Sequence, residues 1–114
     1  MNVEEFREYC ISLGDVTEKM PFGKFAKKYD SILVFYVFNH MFCLIDIENF
    51  HSVNIKSTPE EIDDITSSYS SVGKPINKSM KHWIQLDFDG DISTKDILEF
   101  VRRAYEITYT IHAK

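Results

Sequence analysis

The stretch Ile32-Leu33-Val34-Phe35-Tyr36-Val37-Phe38, followed by Asn39-His40 and then by Met41 to Ile47, decides the fold. Its first half is dense in β-branched and aromatic residues, which suit a pleated, packed surface. Asn39-His40 predicts a two-residue turn, because Asn tolerates positive φ better than most residues. Met41 to Ile47 then becomes the returning strand of a hairpin. The run is apolar on both faces. One face must meet helices, and the other needs further cover: the C-terminal helix, a curled sheet or a second subunit.

Working outward, Ser52 to Lys56 alternates, with Val53 and Ile55 on one face and Ser52, Asn54 and Lys56 on the other. Trp83 to Phe88 reads as a further strand after a loop at Gly73-Lys74-Pro75, and Phe22 to Tyr29 is a candidate opening strand. Three segments carry helical periodicity. In the first, Val3, Phe6, Cys10 and Leu13 share one face, with Asn2 as cap, Glu5 completing a capping box and Gly14 placed to end it. The second starts at Thr58 as cap with Pro59 at the first position and Glu61 closing the box, and Ile62, Ile65 and Tyr69 line one face. The third starts near Ser93 or Thr94 and carries Ile97, Leu98, Val101, Ala104, Tyr105 and Thr108. One helix, several strands, a helix, a strand and a helix with short connections exclude a doubly wound parallel sheet. The pattern predicts an α+β fold, an antiparallel β-sheet with helices packed on one face.

The chain has 114 residues with 44% hydrophobic and 27% charged residues, the composition of one soluble globular domain spanning 1–114. Surface scaling predicts ~6,500 Å² of exposed surface, enough burial to stand without disulfides or a structural metal. The N-terminus shows no secretory signal, and the longest apolar run is too short to cross a bilayer, so a cytoplasmic protein without a membrane partner is expected. Cys10 and Cys43 sit inside apolar patterns and read as buried, reduced thiols.

Other features are family-like. Ser12-Leu13-Gly14-Asp15-Val16-Thr17-Glu18-Lys19-Met20-Pro21-Phe22-Gly23 resembles the N-terminal signature of the MmcQ/YjbR family. Met41-Phe42-Cys43-Leu44, Val53-Asn54-Ile55-Lys56, Pro59-Glu60-Glu61 and Lys81-His82-Trp83 follow in the family's order. Gly14 stands where the family commonly has Pro, and 76–80 departs from its pattern. The resemblance implies a CyaY-like α+β fold and DNA binding through a double-wing motif.

Charge is unevenly spread despite a net −5. Lys19, Lys24, Lys27 and Lys28 form one basic cluster, and Lys74, Lys78, Lys81 and His82 form another, with no acid from Ser67 through Leu86. The acids collect on the helices, at Glu4, Glu5, Glu8, Glu60, Glu61, Asp63 and Asp64. An acidic protein can therefore present a locally positive face to phosphates, and Lys24, Lys27, Lys28, Lys74, Lys78, Lys81 and His82 are the candidate nucleic-acid contacts. The bland reading is a set of solvated loop lysines. Trp83 could stack on a base, although beside Ile84 and Leu86 it reads as core. Asp87, Asp89 and Asp91 suggest a calcium loop, but Ile92 and Leu98 stand where that loop needs Gly and Glu, so a tight turn is expected. No nucleophile elbow, phosphate loop or zinc-ligand spacing is present, so neither an enzyme nor a cofactor is expected. The alternative to DNA binding is a protein-interaction or small-ligand module using the second apolar face of the sheet, a homodimer being one form of it.

Overall fold

The structure, a computed structural model, describes residues 1–22, 30–70, 72–73 and 81–113. Its elements are α1 (Val3–Ser12), β1 (Val16–Lys19), β2 (Ile32–Val37), β3 (His40–Asp46) and β4 (Ser52–Lys56), then α2 (Pro59–Ser68), β5 (Val72–Gly73), β6 (Trp83–Asp87) and α3 (Thr94–His112). The six strands form one sheet in the order β1-β2-β3-β4-β6-β5, with every neighbouring pair antiparallel. The α+β architecture expected from the sequence is the one observed.

The helix starts follow local chemistry. Asn2 accepts from the Glu5 N–H at 2.8 Å and its own N–H donates to the Glu5 carboxylate at 3.0 Å, so the capping box is complete. Thr58 and Ser93 cap α2 and α3 by accepting from Glu61 N–H and Asp96 N–H. In α2 the Glu61 carboxylate takes a different partner from the one expected: it pairs with Arg103 of α3 at 3.1 Å.

The hairpin turns one residue earlier than predicted. Phe38 and Asn39 take positive φ, 51° and 63°, as a type I′ turn requires at both central positions, and His40 already belongs to β3. A Phe in the left-handed region is unfavourable, but its ring packs on Tyr109 with centroids 5.1 Å apart. A second irregularity lies between β2 and β3: Phe35 faces Cys43 while Tyr36 faces Met41. Phe42 is thus an extra residue on β3, and the bulge lets Phe42 and Cys43, neighbours in sequence, both enter the same core.

That core lies on the helical side. Phe6 and Cys10 of α1, Ile65 of α2, and Ile97, Val101 and Ala104 of α3 meet Leu33, Phe35, Ile45, Val53, Ile55, Ile84 and Leu86 of the strands. On the opposite side Ile32, Val34, Leu44 and Trp83 form a smaller cluster, with Phe22, Tyr36 and Met41 packed against it. Val34 and Leu44 have no exposed surface. The second face of the hairpin, expected to need a cover such as a second subunit, is closed within the single chain. The accessible surface, 6832 Å², is close to the value scaling predicts.

Two strands were not anticipated. The first strand in the chain is Val16–Lys19, paired with Val34 to Val37, ahead of the expected Phe22 to Tyr29. Phe22 lies beyond the strand's end, and 23–29 fall outside the described residues. Val16–Lys19 carries no apolar run, because as an edge strand it buries little, and its pairing with β2 defines it. Val72–Gly73, read as the start of a loop, is a two-residue strand against Leu86 and Gln85.

Candidate nucleic-acid interface at one end of the sheet

Strand register separates charge along the sheet. Lys56 lies opposite Trp83, and the chain enters β6 through Lys81 and His82. The opposite end of the same strands carries Asp87, which faces Ser52, and Asp46, which faces Ile32. Asp46 is occupied there: one carboxylate oxygen accepts from Ser31 Oγ, Glu48 N–H and Asn49 N–H. His82 adopts φ 64°, and its carbonyl accepts from Ser57 N–H at 2.8 Å, which holds the β6 entry against the end of β4. Lys81 and His82 are both exposed.

Of the residues expected to contact nucleic acid, Lys24, Lys27, Lys28, Lys74 and Lys78 lie outside the described residues. Lys81 and His82 stand at the β6 entry. The expectation missed Lys56, which reaches the same end of the sheet. Its signal was present in the alternation of Ser52 to Lys56, where Lys56 is the one cation on the polar face. Lys19 of β1 places its ammonium 5.5 Å from the centre of the Tyr36 ring, a cation–π contact on the helix-free side.

His40 and His112 add titratable groups at this end. Their rings stack with centroids 3.4 Å apart and 5° between planes. Desolvation, then the positive charges of His40 and Lys56, hold the His112 imidazole below its ordinary pKa.

The arginines behave differently from the lysines. Arg7 forks onto Glu18 and also pairs with Glu4 at 2.7 Å. Arg102 bonds Glu99 and, at 2.6 Å, Glu106; Arg103 takes Glu61. The bond to Arg102, above all, lowers the Glu99 pKa. Lys19, Lys56 and Lys81 enter none of the ion pairs among the described residues.

Other expected features resolve plainly. Trp83 is 8% exposed and belongs to the smaller core, so its indole is no open stacking platform. On the apolar sheet face considered as a surface for a partner or small ligand, Ile32, Val34, Leu44 and Trp83 are buried, with Phe22, Tyr36 and Met41 packed against them. Asp87 accepts from Asp89 N–H at 2.8 Å and Asp91 accepts from Ser70 N–H at 2.8 Å, so these acids build a turn. Cys10 and Cys43 are buried, and burial, followed by contact with Cys10, pushes the Cys43 thiol well up. No helix among the described residues is long and apolar enough to cross a membrane.

The six-stranded antiparallel sheet with three helices on one side is the fold of a small α+β protein. The YjbR family model matches residues 11–107, and the chain belongs to that family. Among solved structures it is similar to the Deinococcus radiodurans protein DR2400, described as a DUF419 domain, with 24% identity and a TM-score of 0.79 over 95% of this chain and 78% of that one. It is also similar to a Pseudomonas syringae protein, structural-genomics target PsR293. The crystal structure gives 20% identity and a TM-score of 0.66 over 95% of this chain and 99% of that one. Its solution structure gives 18% and 0.68 over 95% and 93%. No curated protein matches the chain.

Proposed function

We propose that this protein is a non-enzymatic module that binds the phosphate backbone of DNA through lysines at one end of the sheet. The observation that carries the reading is the division of cations. All three arginines are committed to carboxylates, while Lys56 and Lys81 gather at one end and enter none of the ion pairs among the described residues.

The division also says what kind of binding to expect. Arginine reads bases through its planar fork, whereas lysine meets phosphate as a point charge. With the arginines spent, contact falls to lysine and is insensitive to sequence. The overall charge of −5 opposes DNA at long range, so affinity depends on short-range contacts and falls steeply with salt.

Fluorescence anisotropy with a labelled duplex tests this. Binding at low salt should weaken with a log–log slope of about −0.9 per phosphate contact. The double substitution Lys56→Glu, Lys81→Glu should weaken binding and flatten that slope, and further reversal at Lys24, Lys27, Lys74 and Lys78 should abolish it. Absence of binding at low salt, or indifference to all these reversals, ends the proposal.

A further inference from the structure

At the far end of α3 the chain forms a groove of about 570 Å³ lined by Gly14, Asp15, Tyr105, Glu106, Tyr109 and Thr110. Two aromatic rings and two carboxylates line it, and no cation does. Tyr105 is held in place from two directions. Its hydroxyl lies against Gly14, and its ring meets Phe42 edge-on with centroids 5.5 Å apart. Tyr109 is tilted 41° to Tyr105 at 5.9 Å and is braced behind by Phe38. Gly14 permits this arrangement, since a Cβ there would collide with the Tyr105 hydroxyl.

The electrostatics are one-sided. Glu106 shares the Arg102 guanidinium with Glu99, and Asp15 enters none of the ion pairs among the described residues. Burial above all, and then the neighbouring Tyr109, Asp15 and Glu106, raises the Tyr105 pKa.

We infer that this groove is a binding site for a guanidinium group. A bare metal ion is disfavoured, because hard cations need several oxygen ligands and no group of three or more acids, His or Cys among the described residues could supply them. An ammonium keeps its water strongly. A guanidinium is weakly hydrated, stacks on aromatic faces and takes a carboxylate with two parallel N–H donors. Rings and acids in one groove meet both of its recognition modes. The groove exceeds a lone head group, so the guanidinium arrives with further atoms, either on a free arginine derivative or on an arginine within a peptide. The groove lies at the same end of the sheet as His40, His112 and Lys56, but its recognition rests on its own rings and acids and not on the DNA reading.

Amide chemical-shift titration with N-acetyl-arginine methylamide tests the inference. Shifts are expected at Gly14, Asp15, Glu106 and Thr110, and the isosteric neutral citrulline compound should leave them in place. Asp15→Asn is nearly isosteric at an exposed position, and Tyr109→Leu keeps apolar volume, so both variants should fold. Each should weaken binding by about tenfold, the scale of losing one charge partner or one aromatic face. A short arginine peptide binding more tightly than the free compound identifies a protein partner as the source, and equal affinity identifies a small molecule. Absence of shifts in the groove, equal binding of the citrulline compound, or unchanged affinity in both folded variants would overturn it.

Discussion

On the helical side of the sheet Phe6 sits among Phe35, Phe50 and Phe88, with ring centroids 5.7 to 6.3 Å away, and the arginines on that side are neutralised by Glu4, Glu18, Glu61, Glu99 and Glu106. On the other side a core of four residues, Ile32, Val34, Leu44 and Trp83, closes the sheet, and the lysines along and beyond it stay outside those pairs. The difference teaches where each face spends its interactions. The pairs Arg7–Glu18 and Arg103–Glu61 join neighbouring elements, and an arginine already matched to a carboxylate is unavailable to a phosphate. Unpaired charge beside a small core adds little to folding and remains open to one.

Breaking the larger core should cost most. Phe6→Ala should destabilise by about 3–5 kcal/mol, and Leu44→Ala in the smaller cluster by about 2–3 kcal/mol, both read by urea denaturation. If the two lose equally, the ranking of the cores is wrong. Next comes the contact that joins the α1–β1 connection to α3. Gly14 has φ 154° and faces the Tyr105 hydroxyl, so Gly14→Ala should cost about 1–3 kcal/mol. In a Tyr105→Phe background part of that cost should return, because the colliding oxygen is gone. A double-mutant cycle with no coupling would place the strain elsewhere.

A smaller effect concerns pH. The His112 pKa is lowered in the fold, so the unfolded chain takes up the proton first as pH falls. The contribution of His112 is therefore neutral above its unfolded value of about 6.5 and turns unfavourable as pH drops below it, levelling off below the folded pKa. Thermal melts across that window should show a decline that His112→Phe flattens. If the slope is unchanged, the stacked pair is not its source. A still smaller change is expected on the helix surface, where Arg102→Met should leave the urea midpoint nearly unmoved despite two carboxylate partners, because the pairs are solvent-exposed. Lys56→Glu with Lys81→Glu should also stay within about 0.5 kcal/mol while altering DNA affinity, which separates a binding role from a structural one.

Much of this was legible locally. Asn2 with Glu5, Thr58 before Pro59, and Ser93 before Thr94 announce helix starts, because a cap needs only residues three positions apart. The alternation of Ser52 to Lys56 and the apolar run from Ile32 mark strands for a similarly local reason. The exact hairpin turn was less legible, since a Phe at positive φ becomes acceptable only against Tyr109, which is distant in sequence. Val16–Lys19 was missed because its strand character comes from its register with β2. Lys56 was passed over in favour of denser lysine runs, and the groove beside Gly14 joins residues 14 and 15 to residues 105 to 110.

The amino-acid sequence by itself determined the class of fold, the helix starts and the two-sided apolar hairpin, all consequences of short-range periodicity and capping. Only the tertiary structure decided the β3 bulge, the burial of Val34 and Leu44 on the second sheet face, the commitment of every arginine and the place of Lys56 at one end of the sheet. Each of these depends on which distant side chain arrives at a given place, and long-range packing alone supplies that partner.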